Sequence, residues 1–127
     1  MIGMRISREN FEALVFEEAQ AVLAQLPPDL RAEAETVVLE VADRAARDQD
    51  AAPGMMTLGL YEGVPLVQRH ADTVLLTPDR ITLYRLALQS LAGSEAELRR
   101  GARQTLIHEL GHFFGYDEDE LRERGWG

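Results

Sequence analysis

The sequence predicts one α+β domain spanning residues 1–127, with a small mixed β-sheet packed on helices. Three observations carry that reading. An amphipathic helical pattern stands near each end of the chain, short β-branched segments lie between them, and 127 residues suit one domain with a single core.

The first helix is expected over Arg8–Leu26. Ser7 is its N-cap, Asn10 takes the capping-box position, and Ile6 and Phe11 are placed for a hydrophobic staple. Phe11, Leu14, Val15, Val22, Leu23 and Leu26 share one face opposite Glu12 and Glu17, and Pro27-Pro28 ends the helix. A short helical turn is expected over Asp29–Glu35. The β-branched run Thr36–Ala42 then alternates as a strand does, and Asp48–Gly54 is a loop. Extended pieces are expected at Thr57–Tyr61 and Val64–Val67 around a turn at Glu62-Gly63. A second pair is expected at Val74–Leu76 and Ile81–Arg85 around Thr77-Pro78-Asp79. Leu86–Gly93 suits either an extension of that strand or a short helix.

The last long helix is the best defined. Ser94 and Glu97 form a capping box, Leu98, Ala102, Leu106, Leu110, Phe113 and Phe114 make an apolar stripe, and Gly115 is the left-handed stop. Gly101 and Gly111 each cost about 1 kcal/mol against Ala inside a helix, which points to close packing against another backbone. The acidic run Asp117–Glu120 follows, then a short helix from Leu121 to Arg124.

Composition removes whole classes of chemistry. There is no Cys, hence no disulfide framework, thiol nucleophile or iron–sulfur cluster. All 13 basic residues are Arg, so neither a Schiff-base lysine nor a P-loop is present. A net charge of -9 without a basic patch argues against nucleic acid or an anionic membrane as partner. No apolar run reaches the ~18–20 residues of a membrane span. The N-terminus lacks a signal-peptide layout, and the expected location is the cytoplasm.

Two of the three histidines lie in His108-Glu109-Leu110-Gly111-His112, an HExxH motif inside the last long helix. At about 100° per residue the two imidazoles project about 40° apart, one turn apart along the axis, so both can hold one metal ion. Glu109 projects beside them and can reach a water on that metal without ligating the metal itself. Two His need a third protein ligand, with the fourth position left for water. In HExxHxxGxxX the Gly lets the chain turn back, and the residue three beyond Gly115 is Glu118. Asp117 and Asp119 flank it as substitutes, and His70 is a more distant option. Closed structural zinc sites rely mostly on Cys, so a Cys-free His₂–carboxylate set reads as an open site.

On these residues the sequence resembles the bacterial minimal-zincin family of zinc metallopeptidase-like proteins. The likeness runs through Phe11–Leu26 with Pro27-Pro28, Leu58–Leu66, Pro78–Arg85 and, most specifically, Thr105–Gly115. It implies a small twisted sheet over the metal-binding helix, Zn2+ as cofactor, and a peptide or protein substrate. It also places Ile81–Arg85 beside the cleft as a strand whose edge could pair with a peptide. The family usually carries Asp where this chain has Glu118, a side chain longer by one methylene.

The expected activity is peptide hydrolysis. His108, His112 and Glu118 would hold zinc, which polarises the scissile carbonyl and lowers the pKa of its water, and Glu109 would act as general base. Tyr84 and Tyr116 are candidate donors to the oxyanion. The alternative is a zincin-like module that binds peptides without cleaving them, since 127 residues leave little chain to close a cleft from a second side.

Overall fold

In the computed structural model, which describes residues 3–52, 55–70, 73–74 and 77–123, the chain enters helix α1 (Arg8–Gln25) at Ser7. The Ser7 hydroxyl accepts the Asn10 N–H at 3.1 Å, as the capping pattern requires. Leu26 turns the backbone extended, the conformation that a following proline enforces. Helix α2 (Pro28–Ala34) begins with Pro at a position where a missing N–H costs nothing. Strand β1 (Val38–Ala42) follows, with Val41 buried and Val38 and Glu40 exposed, so the expected alternation holds.

Strands β2 (Gly59–Glu62) and β3 (Arg80–Tyr84) complete a three-stranded sheet in the order β1-β3-β2. β3 runs parallel to β1, with Leu39 opposite Ile81, and antiparallel to β2, with Tyr61 opposite Ile81. The sheet is therefore mixed, as predicted, but β3 is its central strand. Both edges of β3 are paired, so it offers none to a peptide, and that expectation is corrected: the strand with an outer edge beside the long helix is β2. Ile81 and Leu83 face the main core at 1% and 0% exposure, which is why a β-branched, apolar segment occupies the middle position.

Two further expectations change. Val64–Val67 is not extended; Pro65 leads into a 3-10 turn at Leu66–Gln68. Pro65 has no N–H to give a sheet, and Gln68 N–H donates back to its carbonyl at 2.9 Å. Val74 is exposed and outside any strand, while Leu75 and Leu76 lie outside the described residues. Leu86–Gly93 resolves as a helix, α3 (Arg85–Ser90).

Helix α4 (Glu95–Phe114) spans the domain, capped by Ser94, whose hydroxyl accepts the Glu97 N–H at 3.2 Å. Helix α5 (Glu118–Glu123) closes the described chain and starts earlier than expected, taking in most of the acidic run. Leu98, Ala102, Leu106, Leu110 and Phe113 of α4 meet Phe11, Leu14 and Val15 of α1 and the inner face of β3 in one continuous core. Among the described residues, no helix is long and apolar enough to cross a membrane.

At Gly101 an added Cβ would lie 3.6 Å from Leu88 Cδ2, an ordinary contact. The close backbone packing expected there is absent, and a side-chain neighbour takes its place. α1 and α4 are also locked by charge. Glu18, buried on α1, accepts from Arg103 Nε at 2.9 Å on one oxygen and from Arg99 Nη1 at 3.1 Å on the other. Burial alone would raise this carboxyl, but the hydrogen bonds from Arg103 and Arg99 outweigh it and hold the pKa below the usual value of 4.5.

Replacing Glu18 by Gln should therefore destabilise the protein by roughly 1–3 kcal/mol near neutral pH. The folded-state pKa is depressed, so the carboxylate's contribution is present above about pH 4.5 and is lost as the pH falls through the lowered value. Urea unfolding of both proteins at pH 7 and at pH 3.5 should show the gap narrowing in acid.

Candidate metal centre

Where α4 ends, three groups converge. Gly115 adopts φ +103°, and its N–H donates to Gly111 and His112 carbonyls at 3.1 and 3.0 Å. The Tyr116 N–H follows with a 2.9 Å bond to the Gly111 carbonyl. This reversal aims the next residues back along the helix face that carries the histidines. Asp117 then caps α5: its carboxylate accepts the Glu120 N–H at 2.8 Å, and Glu120 Oε1 accepts the Asp117 N–H at 3.2 Å. That is a reciprocal capping box, and it occupies Asp117. Asp119 is paired with Arg122 one turn on.

Glu118 is the carboxylate left over, and it meets the histidines. Its Oε1 lies 3.2 Å from His108 Nε2 and 3.1 Å from His112 Nε2. The two Nε2 atoms are themselves 3.2 Å apart. The three atoms form a nearly equilateral triangle. In a tetrahedral site with zinc–ligand bonds of about 2.0–2.1 Å, neighbouring donors stand about 3.3 Å apart, so the triangle has the dimensions of one face of such a site. The backbone orients His112 toward this triangle. Its Nδ1–H donates to the Tyr116 carbonyl at 3.2 Å, which leaves the Nε2 lone pair directed inward.

Glu109 belongs to a looser grouping, its carboxylate and the two imidazoles lying within 4.8 Å of one another. It is 9% exposed, against 60% for the Glu118 side chain. Burial raises the Glu109 pKa; His108, His112 and the Tyr61 backbone N–H oppose that rise, and Glu118 adds to it. The outcome is a carboxyl more basic than an ordinary glutamate, beside the triangle and outside it.

Strand β2 forms the other wall. Tyr84 N–H donates to the Leu58 carbonyl at 3.0 Å. By antiparallel alternation Leu58, Leu60 and Glu62 turn their backbone groups toward β3, and Gly59 and Tyr61 turn theirs outward. Gly59 lets the strand lie directly on α4, since a Cβ there would stand 2.6 Å from Thr105 Cγ2 and 3.5 Å from Glu109 Cγ. Here, rather than at Gly101, a glycine permits close approach.

Behind this wall lies a cluster that the local sequence pattern did not reveal. The Tyr61 hydroxyl donates to buried Asp79 at 2.7 Å, Arg69 pairs with the same oxygen, and the Arg69 guanidinium sits 5.6 Å above the Phe113 ring. Arg69 Nε also donates to the Val64 carbonyl at 2.9 Å. The cluster ties the segment after β2 to the residue following His112. Its members come from four separate stretches of chain, so no spacing rule could have grouped them.

The remaining expected residues fall elsewhere or are only partly engaged. Tyr84 is 7% exposed and packs with Ala45 and Ala87 in a second, smaller cluster. Burial raises its hydroxyl pKa. Tyr116 is tied to the centre through its carbonyl. His70 is exposed and its N–H donates to Thr73 Oγ1.

A long helix bearing HExxH under an edge strand, followed by a glycine reversal that returns a carboxylate, is a zincin architecture. The chain belongs to the family of zincin-like metallopeptidases, whose model matches residues 34–126. No curated protein matches it.

The Gly115 turn should be intolerant of side chains. Alanine there costs roughly 1–2 kcal/mol in the left-handed region, and its Cβ would overlap the Val67 side chain. Gly115→Ala should lower the thermal midpoint and, by displacing Glu118, weaken metal uptake as well; unchanged midpoint and uptake would contradict this account of the turn.

Proposed function

We propose that the protein is a zinc-dependent peptidase in which His108, His112 and Glu118 hold the metal and Glu109 is the general base. The observation that carries this reading is the triangle of two imidazole nitrogens and one carboxylate oxygen, 3.1–3.2 Å on each side, with Glu109 close by but outside it. The donor chemistry fits zinc, an ion that accepts nitrogen and oxygen ligands in tetrahedral sites. When bound, zinc would supply Lewis-acid polarisation of a carbonyl and a water of pKa near 7.

The chain's own residues supply the rest. Glu109 accepts a proton from water as its oxygen adds to the scissile carbonyl carbon. The C–N bond then breaks, and Glu109 returns that proton to the departing nitrogen. One amide and one water become one carboxylic acid and one amine, which at neutral pH are a carboxylate and an ammonium. A raised carboxyl pKa suits a group that must both take and give a proton, and the Tyr61 N–H holds the carboxylate in place. The outward backbone groups of Gly59 and the Tyr61 carbonyl offer hydrogen bonds to an extended peptide lying along β2, the Tyr61 N–H being engaged by Glu109. Tyr116, joined to the centre through His112, is retained as the proposed oxyanion donor; Tyr84, packed in the second cluster, is not.

Metal titration and peptide hydrolysis test the assignment separately. The full chain should take up about one equivalent of zinc. Glu118→Ala should weaken zinc binding by at least about tenfold. Glu109→Gln should retain zinc while losing hydrolysis by about two orders of magnitude or more. A protein that takes up no zinc, or a Glu109→Gln variant as active as the parent, defeats the reading.

A further inference from the structure

Arg69 follows the 3-10 turn Leu66–Gln68, and its donors go to separate stretches of chain. Its N–H donates to the Leu66 carbonyl at 3.2 Å and its Nε to the Val64 carbonyl at 2.9 Å, so it closes the turn after β2 from two sides. Its Nη2 pairs with Asp79 Oδ2, and the guanidinium lies over the Phe113 ring of α4, 5.6 Å from the centroid. A planar guanidinium can give Nε and Nη2 to two acceptors while its face stacks on a ring. A lysine ammonium has no such fixed fork.

One side of this arrangement leads to Glu109. Asp79 is 4% exposed, and the oxygen that pairs with Arg69 also accepts the Tyr61 hydroxyl at 2.7 Å. Among the described residues Asp79 Oδ1 has no hydrogen-bond partner, so a single oxygen carries both bonds. The Tyr61 ring meets Phe113 edge-on, with centroids 6.0 Å apart. Tyr61 is thus fixed at two points, its phenol on Asp79 and its backbone N–H on Glu109.

The other side leads to Glu118. Val67 stands in the middle of the turn that Arg69 closes, and its methyls fill the space a Cβ on Gly115 would take. Its neighbour Leu66 packs against the main core. Gly115 opens the reversal that brings Glu118 to the histidines, so the Val67 contact bears on the backbone that sets this carboxylate.

We propose that Arg69 is a positioning residue for both carboxylates of the centre, setting Glu109 through Asp79 and Tyr61, and Glu118 through Val67 and the Gly115 turn. The duties of the two carboxylates rest on the peptidase reading; the two linkages rest on contacts of the chain itself. They leave Arg69 by different atoms, Nη2 toward Asp79 and Nε toward the Val64 carbonyl, so each can be cut without the other. A brace acting only on stability has no such division.

The test uses the full chain and three variants. Tyr61→Phe cuts the first linkage and keeps the ring on Phe113. Arg69→Lys keeps a charge for Asp79 and gives up the Nε bond. Val67→Ala, at a position 69% exposed, cuts the second linkage without touching the buried cluster. In the metal-free protein, NMR follows the amide protons of residue 61, which reports the bond to Glu109, and of Gly115 and Tyr116, which report the turn. Tyr61→Phe should move the first upfield and leave the other two in place, and Arg69→Lys and Val67→Ala should do the reverse. Zinc affinity, read by chelator competition, should fall about tenfold in Arg69→Lys and Val67→Ala and stay within about twofold in Tyr61→Phe. Hydrolysis should show the opposite split, with kcat falling about tenfold in Tyr61→Phe at saturating zinc.

Variants that move both sets of amides together, in proportion to the fall in thermal midpoint, overturn the positioning role, and so do variants that move neither. If Arg69→Lys fails to fold, Tyr61→Phe and Val67→Ala decide between the same outcomes. Separated amide shifts in a protein that hydrolyses nothing keep the two linkages and defeat the peptidase reading. Hydrolysis without that separation defeats the positioning role alone.

Discussion

The structure depends on how α4 is buried. One stripe of this helix is the centre of the core, with Leu98, Ala102, Leu106, Leu110 and Phe113 packed on α1 and the inner face of β3. The histidines and Glu109 occupy the flank of the same helix, so each apolar contact that fixes α4 also fixes the spacing and direction of the three side chains of the HExxH motif. A functional group on a buried helix has little freedom to wander, since moving it would open voids against close-packed neighbours. The Glu18 pairing with Arg99 and Arg103 adds a polar lock on the same α1–α4 contact.

The third side of the triangle is made differently. Glu118 lies beyond the helix, and its place is set by a chain of local choices. Gly115 supplies a left-handed turn, Asp117 and Glu120 are engaged in a capping box, and Asp119 pairs with Arg122. Four consecutive acidic residues look interchangeable as a string, yet their backbone positions give them unlike duties. The side chain with no local partner is the one that reaches the histidines. This arrangement also accounts for an exposed Glu118 next to a buried Glu109: one carboxylate belongs to a surface turn, the other to a helix flank covered by β2.

Strand β2 shows how an edge can be used rather than hidden. It lies hard against α4 because Gly59 has no side chain to hold it away, and its outward backbone groups stand next to Glu109. The Asp79, Arg69 and Tyr61 cluster then braces the strand from behind, with Phe113 under it. One strand, one helix and the end of a short helix thus bound a groove beside His108 and Glu109, which opens to solvent along Leu91.

Local patterns carried much of this. Ser7, Pro27-Pro28, Ser94 and Gly115 mark helix ends because capping and the restrictions of Pro and Gly act over a few residues, and HExxH spacing is a property of helix geometry alone. The sequence by itself therefore determined the two long helices, the α+β class and the convergence of His108 and His112. It could not determine which strand is central. Ile81–Leu83 and Leu58–Tyr61 are both apolar extended pieces, and only the parallel pairing of β3 with distant β1 makes β3 the middle strand and β2 the edge. Nor could it show that Glu118, rather than Asp117 or Asp119, lies within 3.2 Å of both histidines, or single out Gly59 over Gly101 as the point of close approach. Those outcomes depend on which surfaces meet in three dimensions, where contacts between residues far apart in the chain outweigh the preferences of each segment.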